Sequence, residues 1–328
     1  MILIRNDWRK ERAVPGLRSS GAGLLAIVCV LIGLCPGGAL AADAGPNICG
    51  KTTGQLLKAC RLEASDDYRV GVAICFNLSD GQASEACKIA AREARSEALA
   101  ECRDVREARA EVCADFGPGP YDPVIAPANF VSKITNPYAP FTPGMWWEYE
   151  KQTEEGLERI RVEVLNKRRK ILGVTVTTLR DTVTLNGEVI EDTIDWLAED
   201  RAGNVWYFGE ISKNFEDGLL ASLDGSWEAG KDGAKPGFWV KAKPRKGELY
   251  RQEYALNNEA EDMVEVLDLD AQEIVPFANG RPVLKTRDFT PLSPEAEENK
   301  FYVPGIGFVS EVDLETGETL ELVDCSLC

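Results

Sequence analysis

Six cysteines between Cys49 and Cys113 constrain this chain more than any other feature, because their positions nest about one centre. Cys75 with Cys87, Cys60 with Cys102, and Cys49 with Cys113 each average to residue 81, the glycine that ends the turn-like run Asn77-Leu78-Ser79-Asp80-Gly81. A chain that doubles back there brings all three pairs together. Six cysteines permit many connectivities; the symmetry selects this one. Cys60 to Cys75 and Cys87 to Cys102 are both steps of 15 residues. Two antiparallel helices, each rising about 1.5 Å per residue, therefore space the rungs equally.

The first leg repeats Leu56, Cys60, Ala64, Tyr68, Gly71 and Cys75, and the second repeats Cys87, Ala91, Ala94, Ala98 and Cys102. These steps of three and four mark one helical face. The facing residues are small, as they must be. Bridged Cα atoms come within roughly 7 Å, whereas ordinary helices pack about 8–10 Å apart. Beyond Cys102 the pattern weakens, because Arg106 and Arg109 fall on that face. Gly50 and Thr52-Thr53 make a poor helix interior and place Cys49 just before the first helix. The stretch holds no C-x2-C or Cys/His grouping, so its cysteines read as staples rather than as metal or redox ligands.

Residues 1–41 read as a secretory signal: Arg5, Arg9, Lys10, Arg12 and Arg18, an apolar run from Ala22 to Leu34, and an A-x-A site ending at Ala41. The apolar run is shorter than the roughly 20 residues of a membrane span, which predicts no membrane span in the mature chain. Export to the periplasm or the extracellular space suits the cysteines, since disulfides persist where conditions oxidise. Cleavage removes those five basic residues together with Asp7 and Glu11, which moves the formal charge from −17 to −20. Such a charge opposes binding to nucleic acid and to anionic lipid, and it suits a hard cation such as Ca²⁺. The chain has no histidine, which removes Ser-His-Asp and Cys-His catalysis in their usual forms and the commonest zinc and copper sites.

After the Cys-rich hairpin of residues 42–116, a Pro-rich linker is expected over 117–143, with seven prolines at 118, 120, 123, 127, 137, 140 and 143. From Gly144 to Cys328 the signal is β. Ile160, Val162 and Val164 alternate on one face, and Asn186-Gly187 between two apolar runs is a strong hairpin signal. Further turns at Gly203-Asn204, Asp217-Gly218, Asn279-Gly280 and Glu315-Thr316-Gly317 separate short strands. The expected fold class is α+β: a disulfide-stapled antiparallel helical hairpin, then an antiparallel β-meander rolled into a barrel or half-barrel.

The Asn186-Gly187 turn carries a register argument. With Leu185 facing Glu188, Asp181 sits opposite Asp192 on a face shared with Leu179, Val183, Ile190 and Ile194. Opposed like charges are unfavourable, so a cation, a shared proton, or Lys285 or Arg287 should compensate. Asp181 and Asp192 are thus the candidate metal ligands. Asp224-Gly225-Ser226-Trp227-Glu228 and Asp232-Gly233 could place oxygens around Ca²⁺ but lack the EF-hand spacing, and solvated turns explain them better. The tryptophans read as core first and as ligand contacts second. Cys325-x2-Cys328 reads as a local disulfide, since no helix follows to lower a thiol pKa. No phosphate loop, nucleophile elbow or metalloprotease motif occurs.

The runs Asn136-Pro137-Tyr138, Arg180-Asp181-Thr182, Asp195-Trp196, Gly203-Asn204-Val205-Trp206-Tyr207-Phe208-Gly209, Ser226-Trp227-Glu228-Ala229-Gly230 and Tyr250-Arg251-Gln252-Glu253-Tyr254 resemble a family of uncharacterised exported bacterial proteins. The resemblance covers most of residues 137–323, extends to the cysteine hairpin in some members, and implies no activity. Val303-Pro304-Gly305-Ile306-Gly307 and the long hairpins before it are more distantly similar to periplasmic half-barrels of the lipoprotein-carrier type, which implies a concave sheet around an apolar ligand.

The residues together point to an exported, acidic, non-enzymatic binding or scaffold protein whose β domain holds an apolar ligand or a partner protein. A Ca²⁺-type cation-binding protein is the first alternative. A carboxylate-based hydrolase is the second, although adjacent cross-strand carboxyls sit closer than glycosidase chemistry wants.

Overall fold

A computed structural model describes residues 47–328, and the chain divides into two compact units that meet in sequence at Pro120 and Tyr121. The expected signal segment, residues 1–41, lies outside the described residues.

The first unit is the hairpin of α1 (Ile48–Phe76) and α2 (Gly81–Phe116). Disulfides join Cys49 to Cys113, Cys60 to Cys102 and Cys75 to Cys87, with Cα separations of 5.7, 5.8 and 5.5 Å. Small residues permit this approach: a Cβ on Gly71 would stand only 3.5 Å from that of Ala91. Near the tip the buried Ser84 hydroxyl donates to the Cys75 carbonyl at 2.8 Å. The reversal occupies Asn77 to Asp80, and Gly81 begins the second helix behind an N-cap from the Asp80 side chain. Cys49 lies inside the first helix rather than before it. The Asn47 side chain accepts from the Gly50 amide at 2.7 Å and the Thr52 hydroxyl donates to the Ile48 carbonyl, so local caps carry the helix through residues of poor propensity.

The second unit is an antiparallel sheet of sixteen strands that nearly closes into a barrel. Its strands are β1 (Trp146–Thr153), β2 (Gly156–Ile171), β3 (Val174–Leu185), β4 (Glu188–Glu199), β5 (Val205–Ile211), β6 (Asn214–Glu216), β7 (Leu219–Ser222), β8 (Trp227–Glu228), β9 (Lys235–Val240), β10 (Leu249–Arg251), β11 (Glu253–Tyr254), β12 (Met263–Asp268), β13 (Leu284–Thr290), β14 (Ser293–Val303), β15 (Gly307–Asp313) and β16 (Thr319–Cys325). Two meanders, β12 to β16 and β1 to β5 with β9, join where β16 pairs with β1. The ends of the strand order are β10 and β11, which are one stretch of chain interrupted at Gln252. Leu249–Arg251 pairs with β12, and Glu253–Tyr254 crosses to pair with β9. Gly237 makes this crossing feasible, because any Cβ there would lie 2.4 Å from the Arg251 carbonyl oxygen.

The segment from Tyr121 to Pro143 is irregular apart from one 3₁₀ turn at Pro127–Asn129, and it belongs to the sheet unit. The Tyr121 hydroxyl donates to the Pro236 carbonyl. The amides of Thr135 and Asn136 both donate to the Glu199 carboxylate. Asn136, buried, donates through its side chain to the Gly203 carbonyl and accepts from the Tyr138 amide.

The register of the Asn186-Gly187 hairpin corrects the expected acidic pair. Leu185 does face Glu188, but the pairing slips between Val183 and Thr184, so that Val183 faces Glu191. Asp181 is therefore opposite Thr193, and Asp192 is opposite Thr182. One inserted residue moves every later side chain to the other face. The two carboxylates, proposed as metal ligands, lie on opposite faces of the sheet. Among the described residues no group of three or more Cys, Asp or Glu side chains is arranged to hold a metal ion.

Candidate ligand-binding site

On the buried face of the sheet unit an aromatic cavity opens beneath the irregular segment. Tyr138 and Phe141 come from that segment, Trp147 and Tyr149 from β1, Trp239 from β9, Tyr302 from β14 and Phe308 from β15. Val162, Leu179 and Leu197 form its floor. The rings meet edge to face: Phe141 stands 5.7 Å from Trp147 and 6.4 Å from Trp239, and Tyr207 stands 5.5 Å from Trp239. The Trp147 indole donates to the Ile306 carbonyl at 2.9 Å, which fixes its plane. The space open to water centres is about 40 Å³. One water takes roughly 10–15 Å³ by that measure, so about three fit.

Three polar side chains reach this cavity: Asp195, Gln252 and Lys300. Asp195 is fully buried on β4 and accepts from the Tyr207 hydroxyl at 2.7 Å. Glu210 of β5 lies directly across from it. Both Glu210 oxygens are buried and lack a hydrogen-bond partner among the described residues. Burial, together with the carboxylates of Glu253 and Asp195, pushes the Glu210 carboxyl well above the usual range. Burial and Asp262 do the same to Glu253, despite the Trp227 side chain beside it. Two such neighbours cannot both ionise cheaply, so each holds its proton more tightly than an exposed carboxyl does. Burial also raises Asp262, to about 7, against the opposing pull of Lys300.

Lys300 stands at the centre of a second group. Its ammonium lies 3.2 Å from Asp288, 3.2 Å from Glu298 and 3.6 Å from Glu311. Thr286 and Glu311 are its two cross-strand neighbours, and Asp288 sits two residue pairs further on, opposite Glu298. Burial alone would lower this amine, but the three carboxylates outweigh it and hold Lys300 well above the ordinary lysine value. Burial and Glu298 raise Glu311, which Lys300 draws back only in part.

The residues singled out in the sequence fall elsewhere. Asp181 is fully buried in the sheet. Asp192 accepts from Arg180 at 2.6 Å and from Lys213 at 3.1 Å. Burial would raise its carboxyl, but those two cations win and lower it. Lys285 pairs with Glu273, and Arg287 pairs with Glu265 and Glu297. Asp232, at φ 49°, and Gly233 form a tight turn. Trp147, Trp196 and Trp227 are core, and Trp206 packs against Phe238 with ring centres 4.0 Å apart and planes tilted by 47°. Cys325 and Cys328 form a disulfide. The buried carboxylates and Lys300 were missed. The available signal was a charged residue in phase with buried ones, as in Thr193, Asp195 and Leu197.

No family model matches the chain, and no curated protein matches it. A solved structure similar to part of the chain is a protein of Parabacteroides distasonis provisionally called a lipoprotein. It is 11% identical, with a TM-score of 0.29, and the match covers 57% of this chain and 96% of that one.

Proposed function

We propose that this protein is an exported, non-enzymatic binding protein whose barrel takes an apolar ligand group into the aromatic cavity. The observation that carries the reading is the cavity itself, with seven aromatic side chains around three convergent polar ones. Ligand sites have this composition: mostly apolar walls and a few placed polar groups. Lys300 is already surrounded by carboxylates, so the cavity favours a neutral or apolar group over an anion. Four disulfides support a mature location outside the reducing cytosol. The hairpin serves as a stapled arm.

The cavity as it stands admits a small group, and a larger ligand enters by displacing Phe141, which irregular backbone carries. Titration of the mature protein with the neutral fluorophore N-phenyl-1-naphthylamine tests this. Enhanced emission is expected, strengthened in Phe141→Ala and abolished in Phe141→Trp. Absence of enhancement in both the wild type and Phe141→Ala would sink the reading.

A further inference from the structure

A second site lies at one end of the barrel, between the β4–β5 turn and the β9–β10 connection. Arg201, Ala202 and Asn204 form one wall, and Lys241, Lys243 and Arg245 line the other. The chain carries a formal charge of −17, yet Lys241, Lys243, Arg245 and Lys246 fall within six residues. The cleft contains four cations and one carboxylate, that of Glu248. Glu248 is occupied from within. It accepts from Lys241 at 2.8 Å and from the Arg245 amide at 3.1 Å. Lys241 also stands over the rings of Phe238 and Tyr250, at 4.7 and 5.2 Å. Among the described residues no ion pair engages Arg201 or Lys243, and Arg245 is 3.6 Å from the shared Glu248 with its side chain 83% exposed.

The walls are built rather than incidental. Asp200 accepts from the Ala202 and Asn204 amides and from the Asn204 and Trp206 side chains. The Asn204 side chain in turn accepts from the Ala242 amide at 3.1 Å, which pins one wall to the other. The Arg201 guanidinium is held by its Nε donating to the Ala128 carbonyl, which leaves its outer face for a ligand. The cleft is a wide surface concavity of about 750 Å³.

We propose that this cleft binds a multiply charged oxyanion of the polyphosphate class. Arg201 and Lys243, engaged by no carboxylate among the described residues, and Arg245, which shares Glu248 with Lys241, face one open concavity, and two of these three are guanidinium forks suited to phosphate oxygens. A lipid headgroup and a free polyphosphate share this chemistry.

Isothermal titration of the mature protein with inorganic tripolyphosphate provides the test. Vesicles of phosphatidylcholine, with and without cardiolipin, form a second arm. Saturable one-to-one binding is expected, weakened about tenfold for each cation removed in Arg201→Ala, Lys243→Ala and Arg245→Ala. Arg69→Ala, on the hairpin, should leave affinity unchanged. Binding to cardiolipin vesicles assigns the source to lipid, and binding to tripolyphosphate alone assigns it to a free anion. Absence of binding in both arms would overturn the proposal, as would equal loss in Arg69→Ala and in the cleft variants. Melting curves of these exposed-side-chain variants verify that they remain folded.

Discussion

At the scale of single residues, Lys300 and Gly237 bear the largest consequences. Lys300→Met would leave Asp288, Glu298 and Glu311 buried together without their cation. Removing one partner of a buried charge group costs about 3–5 kcal/mol, so denaturant unfolding at neutral pH should show a loss of that order. The loss should shrink in acid, where Glu311, raised by burial, takes up a proton. Gly237→Ala would push a Cβ to 2.4 Å from the Arg251 carbonyl oxygen, against backbone that cannot rotate away. About 3 kcal/mol or more is expected from such a clash, read as a drop in the urea midpoint. Asp262 shows why these residues escape a reading of the chain. Nothing in Glu261-Asp262-Met263 announces a carboxyl raised to about 7; the shift arises from burial against groups on other strands.

At the scale of elements, the hairpin and the sheet differ in what a linear sequence can reveal. The hairpin was legible because its restraints are covalent and its spacing is periodic: nested cysteine positions and small facing residues leave one geometry. The strand turns were legible for a similar local reason, since Asn186 at φ 52° and Gly187 at φ 91° need no distant partner. The bulge beyond that turn was not, because a one-residue slip follows from packing on both faces of the sheet. The cluster around Lys300 needs three strands in final register before its members meet. Cys60→Ser with Cys102→Ser should cost the hairpin about 2–4 kcal/mol. Circular dichroism of the full chain would show this as an earlier loss of helical signal with the β signal retained. Coincident loss of both would show that the two units unfold together.

At the scale of the whole molecule, the buried carboxyls set a pH dependence of definite sign. Glu210, Glu253, Glu311 and Asp262 all bind protons more tightly folded than unfolded. Stability from these groups is therefore greatest below their unfolded values, near 4, and falls as pH rises toward 7. With no histidine in the chain, no side chain of that type opposes the trend. Asp192, Glu248 and Glu273 are lowered instead, and their contribution disappears only in stronger acid. The melting temperature should be higher at pH 5 than at pH 8, and Asp262→Asn should reduce that difference. Equal melting temperatures would remove the buried-acid account. Added Ca²⁺ or EDTA should leave the melt unchanged, since Asp181 and Asp192 point away from one another.

The pairing of the first and last strands has a further implication for how the cylinder could be rewired. Trp147 lies beside Cys325, so the first and last strands of the sheet meet at one place, while its seam is closed by the interior stretch from Leu249 to Tyr254. A circular permutant that splices those neighbouring ends and opens the loop at the exposed Ile274 would keep every strand pair. A cut at Gln252 would break no longer stretch of chain, yet it would part the one ribbon that belongs to both edges.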